Sequence, residues 1–396
     1  MIAKADAVVI GGGIIGASVA HFLTKLGYGQ VALVEKSRIC GGSTQYSAAH
    51  VRQHYTNEVA IRLAVRGAHM FANAGEELGG PAGFVQHGYM VMAPADEAQA
   101  IRDIVPVQQR LGVVTEILTP EQVHDRWPEL DVEGVALACF EETSGYADPV
   151  LTVESLVRSA ERRGLKVYEG CAALGITVAG ARVTGVVTGD GEIATGVVVN
   201  AAGPWGDRIG RMVGIDYPIT FSREHEAIFE APEGFGEIPV MSDVTQRAYF
   251  RRYGDGKVLV GEGWPKQKEP ADPESYDDGT DAEHLARMVP KLVRRLPSLA
   301  PTLTAPDYGG AFVTGYSGVY DITEDWYPIV GAEEVEGYYS AFGGSGHCFK
   351  LGPAIGEALA SVIAGQAPAI DISSLSGSRF AAGRTFGSVW GPGNRA

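Results

Sequence analysis

The stretch Ala7-Val8-Val9-Ile10-Gly11-Gly12-Gly13-Ile14-Ile15-Gly16 decides the fold. Four strand-forming residues run into Gly11-x-Gly13-x-x-Gly16, and an apolar helical pattern follows from Ala17 to Leu26, stopped by Gly27. A second strand reads from Gln30 to Glu35, placing the Glu35 carboxylate 19 residues past Gly16. Strand, glycine turn, helix and strand with a terminal acid form a dinucleotide-binding unit. The glycines let backbone N–H groups approach a pyrophosphate at the helix N-terminus, and the acid accepts a ribose 2′-hydroxyl. Gly11, Gly13, Ile14, Ile15, Gly16, Glu35 and Lys36 are therefore candidate cofactor residues. Lys36 and Arg38 could meet the 2′-phosphate of NADP, but Glu35 would repel it. The motif alone leaves FAD and NAD open.

The wider composition agrees with a globular enzyme. Among 396 residues, 48 acidic and 32 basic side chains give a formal charge of −16, which argues against nucleic acid as a partner. The length suits two or three domains, and 45% hydrophobic residues suffice for real cores. The 53 glycines are about 13% of the chain against roughly 7% on average, so many tight turns or close approaches to a ligand are expected. Cys40, Cys139, Cys171 and Cys348 are widely spaced, with no zinc-type cluster, and no metal is expected. Unpaired cysteines point to a reduced, cytoplasmic protein. The apolar run from Ala7 to Ala20 is broken by four glycines and preceded by Asp6, unlike a signal peptide. No stretch is apolar for long enough to span a membrane, while peripheral contact stays open.

Further elements follow from periodicity and caps. Helices are expected over Asn57 to Leu78, Asp96 to Leu111 and Glu121 to Arg126, the last opened by a capping box at Thr119-Pro120-Glu121-Gln122. A strand is expected at Tyr89 to Ala93. After Asp148-Pro149 a helix runs to Arg163. Four short strands then lie near Lys166, Ile176, Val183 and Ile193, with a hairpin at Asp190-Gly191. Aromatic-rich strands fill Phe221 to Val330, interrupted by a helix from Ala282 to Leu296 with a second capping box at Thr280 to Glu283. Tyr338 to Gly365 repeats the strand, glycine turn and helix.

Several further segments carry a resemblance. Gly42-Ser43-Thr44 to Val51-Arg52, Asn200-Ala201-Ala202-Gly203-Pro204-Trp205 and Gly343-Gly344-Ser345-Gly346-His347-Cys348-Phe349-Lys350 are similar in order and spacing to the glycine/D-amino acid oxidase (DAO) family of FAD enzymes. The sarcosine oxidase and sarcosine dehydrogenase branch is the nearer likeness. Gly145-Tyr146-Ala147-Asp148-Pro149 and the stretch from Thr323 to Gly331 resemble it too, so the likeness covers essentially the whole chain. It implies an α/β (α+β) fold with a discontinuous Rossmann-like FAD-binding domain at residues 1–80, 145–215 and 325–396. A substrate domain at residues 81–144 and 216–324 would be built on a mixed antiparallel β-sheet flanked by helices. Ser43 and Thr44 after Gly42 would line the phosphate and ribityl path, and Ala173 would face the adenine. Ala202, Gly203 and Trp205 are counted with the cofactor residues. Gly344, Ser345, Gly346, His347, Phe349 and Lys350 would set backbone N–H groups and a helix start beside the flavin pyrimidine.

By the same resemblance Arg52 and Lys350 clamp a substrate carboxylate, so that a C–H beside nitrogen points at flavin N5. His347 orients the flavin loop. The cysteine and histidine that bind flavin covalently in relatives fall near Gly318 and Tyr46 here, so FAD is expected to be non-covalent, with His50 counted among its contacts. The lysine invoked for oxygen activation falls near Leu259, with Lys257 two residues away, and a pocket histidine falls near Gly263. Cys348 replaces the usual glycine. Tyr249, Phe250, Tyr253, Trp264, Tyr316 and Tyr320 are read mainly as packing, with one or two able to wall the pocket. The expected activity is oxidation of the C–N bond of an amino acid or N-alkyl amino acid. The imine hydrolyses, and the flavin is reoxidised by O2, forming H2O2, or by an acceptor. The alternatives are oxidation of a 2-hydroxy acid or polyol phosphate on the same fold, or an FAD subunit of a multi-subunit dehydrogenase. A homo-oligomer or a partner subunit is compatible with either.

Overall fold

A computed structural model describes residues 2–264, 266 and 268–387. Met1 and residues 388–396 of the expected cofactor segments, and Pro265 and Gln267 of the expected substrate segment, lie outside the described residues.

The quoted stretch forms the strand Ala7–Ile10 and the helix Ile14–Lys25. The strand lies between Val31–Val34 and Val198–Asn200 in a six-stranded sheet that continues to Lys166–Tyr168 on one side and to Tyr338–Phe342 and Ile329–Ala332 on the other. All neighbours run parallel except Ile329–Ala332. Ala7–Ile10 and Val31–Val34 are buried at every residue, as a parallel sheet covered on both faces requires. Ile14–Lys25 and Cys348–Ile363 cover one face; the antiparallel strands Ala173–Ala179, Arg182–Thr188 and Gly191–Ala194 cover the other. The two helices approach closely because Gly356 has no side chain: a Cβ there would stand 2.4 Å from the Ser18 Cβ.

A second sheet of eight strands runs in the order Phe312–Thr323, Ile219–Glu230, Lys257–Glu262, Ala248–Arg252, Val240–Asp243, Tyr89–Ala93, Leu137–Glu141 and Thr115–Leu118. It is antiparallel except where Tyr89–Ala93 meets Val240–Asp243, hence mixed. Its outer face packs on the helix Ala282–Arg295 through Ala227, Phe229, Phe250, Leu285 and Met288. Its inner face looks toward the glycine turns of the first sheet.

Two local expectations need correction. The helix expected over residues 57–78 is two, Glu58–Ala72 and Ala74–Glu77, separated at Asn73. Thr119 and Gln122 form their capping box, but the one expected at Thr280 does not form. Asp281 takes the N-cap position without a side-chain bond to the helix, because its carboxylate is held by Arg223 at 2.8 Å. Lys257 pairs with Glu230 at 3.6 Å and lines neither cavity described below.

Candidate active site

Between the sheets runs a cleft of about 350 Å³, and a smaller cavity of about 120 Å³ adjoins it. Ser47, Tyr320, Gly346 and Phe349 border both.

The cleft begins at the first glycine turn. Gly11 has φ +110°, and a Cβ there would stand 2.4 Å from the Ala201 carbonyl oxygen; at Gly16 it would stand 1.9 Å from the Gly11 oxygen. Only glycine makes both approaches. No side chain caps the helix at Gly13, and the Ile14 N–H donates instead to Thr44 Oγ1 at 3.1 Å. The positive end of a buried helix is thus turned to the cleft that Gly11, Gly13, Ile14 and Ile15 line. Gly16 lies outside the lining and serves the turn. Glu35 lines the cleft and accepts from the Gly12 N–H at 2.7 Å and the Ser37 N–H at 2.8 Å, so it also braces the glycine loop. Lys36 sits 3.6 Å over the Trp205 ring and 3.2 Å from Glu274.

Gly42, Ser43 and Thr44 continue the wall, with Ala173, Ala202, Gly203 and Trp205 opposite and Gly344 and Gly346 at the far end. There the Asp321 carboxylate accepts from the Gly343 and Gly344 N–H groups at 2.7 and 3.1 Å, and burial raises its pKa to about 6. Cys348, the unexpected residue of this loop, fills the space of a Gly344 side chain, whose Cβ would stand 2.7 Å from its Sγ, and burial pushes its thiol pKa up. Gly318 and Tyr46 are neighbours in the cleft lining, a Cβ at Gly318 standing 2.9 Å from that of Tyr46, so the two positions noted for covalent attachment lie together without a cysteine or histidine.

The smaller cavity gathers the expected clamp. Arg52 stands 4.2 Å over the Tyr55 ring and Lys350 5.9 Å from the same ring. Arg52 donates to the His54 carbonyl, and its Nη2 lies 3.3 Å from His347 Nδ1, which is also 3.3 Å from the Tyr55 hydroxyl. Among the described residues Lys350 makes no ion pair, and burial, then Arg52, holds its pKa well below the usual lysine range. Behind Arg52, Glu141 accepts from the Gln53 N–H and Ser144, and burial raises it to about 7.

His50, Ser345 and His347, expected beside the cofactor, line this cavity instead. His50 is kept uncharged by burial, and Ser345 Oγ accepts from the Thr323 N–H. Tyr249, Trp264 and Tyr320, read mainly as packing, are wall residues. So is Lys266, which sequence reasoning passed over; it pairs with Glu224 at 2.7 Å. Glu224 and Glu226 line the larger cleft and were also missed. Four consecutive polar residues, Arg223 to Glu226, inside a strand were the signal that could have found them. On the outer face of that strand His225, Glu269 and Asp281 cluster, with the Arg223 guanidinium bound to both acids.

Comparison with known proteins settles the family. The chain matches the DAO family, described as FAD dependent oxidoreductase, over residues 6–362. It belongs to that family. The glycine-built cleft, with Gly11, Gly13, Ile14 and Ile15 at the start of a helix and the Glu35 carboxylate in its lining, fits the dinucleotide of an FAD-dependent oxidoreductase. Mouse mitochondrial sarcosine dehydrogenase is 27% identical over 391 residues, covering 95% of this chain and 41% of that protein. The 4-methylaminobutanoate oxidase (formaldehyde-forming) of Paenarthrobacter nicotinovorans is 27% identical over 390 residues, 94% of this chain and 45% of that protein. The chain thus spans less than half the length of these two relatives. Among solved structures, L-proline dehydrogenase from P. horikoshii superposes with a TM-score of 0.88 at 29% identity, covering 98% of this chain and 100% of that one. No helix among the described residues is long and apolar enough to cross a membrane.

Proposed function

We propose that the protein oxidises the C–N bond of a small amino acid or N-alkyl amino acid, with sarcosine and proline the first candidates. The observation that carries this is the meeting of Arg52 and Lys350 over one tyrosine ring in a small buried cavity beside the dinucleotide cleft. A guanidinium and an ammonium there hold an α-carboxylate and fix the amine end in the remaining space. Tyr89, Tyr249, Trp264 and Tyr320 wall that space and exclude water. Bound along Gly11 to Ile15, Ser43, Thr44 and the Gly344 loop, FAD supplies the two-electron acceptor. The imine product hydrolyses in water. The names of the relatives, sarcosine dehydrogenase, 4-methylaminobutanoate oxidase and proline dehydrogenase, support a secondary amine donor.

The same reading gives residues 1–80, 145–215 and 325–396 to the cofactor and residues 81–144 and 216–324 to the substrate. It keeps FAD non-covalent, since Gly318 and Tyr46 stand where the relatives carry the attaching cysteine and histidine. The four cysteines, free in the structure, fit a reducing cytoplasm. The test is an anaerobic visible spectrum before and after sarcosine, other N-alkyl amino acids, proline, glycine and several 2-hydroxy acids. Bleaching by an amine supports the proposal. Bleaching by a hydroxy acid alone replaces it with C–OH oxidation. A yellow protein that none of them bleaches favours an FAD subunit needing a partner.

A further inference from the structure

Where the two cavities meet, the eight-stranded sheet turns a polar row toward the site. Glu226 lies opposite Gly261 on one neighbouring strand and Tyr316 on the other, and Gly261 lies opposite Tyr249. A Cβ at Gly261 would stand 2.4 Å from the Tyr249 ring and hydroxyl. With only hydrogen there, the ring lies across the intervening strand and its hydroxyl donates to Glu226 Oε1 at 2.6 Å. Glu226 is 5% exposed, and its Oε2 has no hydrogen-bond partner among the described residues. Tyr249 faces the cavity that holds Arg52 and Lys350, and Glu226 faces the larger cleft.

The surrounding charges leave this carboxyl distinct. On its own strand Glu224 is tied to Lys266, whose Nζ stands 5.4 Å from the Tyr249 ring and 4.7 Å from that of Tyr320. On the Tyr249 strand Arg251 donates to the Ala48 carbonyl and lies 4.2 Å over the Tyr146 ring. His50 meets Tyr249 edge-on at 5.2 Å and is uncharged. Tyr316 and Tyr320, on the other neighbouring strand, keep their protons because burial pushes both up.

An amino acid reaches the cavity as an ammonium, which has no lone pair to form the C=N bond. We propose that Tyr249 and Glu226 form a proton relay that neutralises the ammonium of the bound amino acid. As the ammonium gives a proton to Tyr249 Oη, Tyr249 gives its own to Glu226 Oε1. An N–H bond breaks, an O–H bond forms on Glu226, Tyr249 ends as it began, and the amine keeps its electron pair. No oxidant or reductant takes part. The relay rests on the amino acid reading above. Burial raises the Glu226 pKa to about 8, so the accepting form is scarce at pH 7 and dominant above pH 8; competence rises with pH through that value.

The test uses the FAD-loaded protein and 2-aminoisobutyrate, which has a carboxylate and an ammonium but no hydrogen on the carbon beside nitrogen. Calorimetry in two buffers of different ionisation enthalpy counts the protons released on binding. Wild type is expected to release about one proton at pH 7, the one resident on Glu226, falling toward none at pH 9. Glu226→Gln, which keeps an oxygen for Tyr249, should give a count that does not change with pH. In parallel, the rate of anaerobic bleaching by sarcosine or proline should rise about tenfold per pH unit below 8 in wild type. In Glu226→Gln and Tyr249→Phe at equal FAD content the levelling-off above pH 8 should disappear, the rate then following only the free amine's own ionisation. A pH-independent count in wild type, or a pH-dependent one in Glu226→Gln, overturns the relay. Bleaching that is flat with pH overturns the relay alone and leaves the amino acid reading standing. A protein that neither binds 2-aminoisobutyrate nor bleaches with either amine removes that reading and the relay with it.

Discussion

Lys350 shows how burial makes a single residue conditional. Its ammonium is desolvated and stands beside Arg52, so its pKa falls well below the ordinary lysine value, and an incoming carboxylate is what favours its charged form. Two consequences follow at this scale. Lys350→Met should raise the substrate KM about 10- to 100-fold, the equivalent of one charge-assisted hydrogen bond, while FAD content stays at the wild-type level; an unchanged KM would take Lys350 out of the clamp. Affinity for a carboxylate that lacks an amine, such as propionate, should weaken as pH rises through the lowered Lys350 value, because the protonated form is the binding one. That slope is opposite in sign to the one expected for the Tyr249–Glu226 relay, so titrating propionate binding and flavin bleaching separately resolves the two groups.

At the scale of elements, the turn between Thr323 and Ile329 is held from a distance. Asp325 is buried and accepts from both Nε and Nη2 of Arg379, at 2.8 and 2.9 Å, while Arg379 also donates to the Leu375 and Tyr327 carbonyls. Arg379→Ala leaves that carboxylate buried without its counter-charge, its remaining donors being the Thr323 hydroxyl and the Tyr327 and Phe386 N–H groups, a loss of about 3 kcal/mol that urea unfolding would register. Asp325 has its folded pKa lowered, so its contribution is fully present above the unfolded carboxylate value and fades as pH falls through the folded one. The segment was legible as a motif, but its anchor some 54 residues away was not, since nothing local in a sequence announces a long-range ion pair. The same limit explains the caps. Thr119 and Gln122 satisfy each other within four residues, whereas Asp281 is claimed by Arg223 from the neighbouring sheet. The glycine turn at Gly11 to Gly16 was legible because its spacing is local, Gly16 clearing the Gly11 carbonyl, whereas the approach of Gly11 to the Ala201 carbonyl was not. Glu226 and Lys266 were not, because which face of a strand borders a cavity depends on the partner sheet.

Across the whole molecule, the run from Glu269 to Asp281 joins the two sheets. It carries six acids and meets basic groups on both sides: Arg223 takes Glu269 and Asp281, and Arg208 takes Asp272 at 3.1 Å. Tyr46 donates to Asp278 at 2.8 Å. At its centre Glu274 is shared by Lys36, Arg208 and the Trp205 indole N–H, and it lines the dinucleotide cleft beside the glycine turn. Lys36, expected at the cofactor and lining the same cleft, thus spends its charge on a residue that lines that cleft too. A half-exposed ion pair adds little alone, but one carboxylate bound by three donors from another sheet acts as a network. Glu274→Ala should therefore release FAD about three- to tenfold faster, on the order of 1 kcal/mol, read as flavin fluorescence appearing after dilution. Glu283→Ala, which removes an exposed acid paired, among the described residues, only within its own helix turn, should leave that rate unchanged. Added salt should speed release from wild type toward the Glu274→Ala rate, because screening weakens the contacts that the substitution has already removed. Equal release from wild type and Glu274→Ala at low salt would mean that the run only spans the sheets and does not hold the cofactor in.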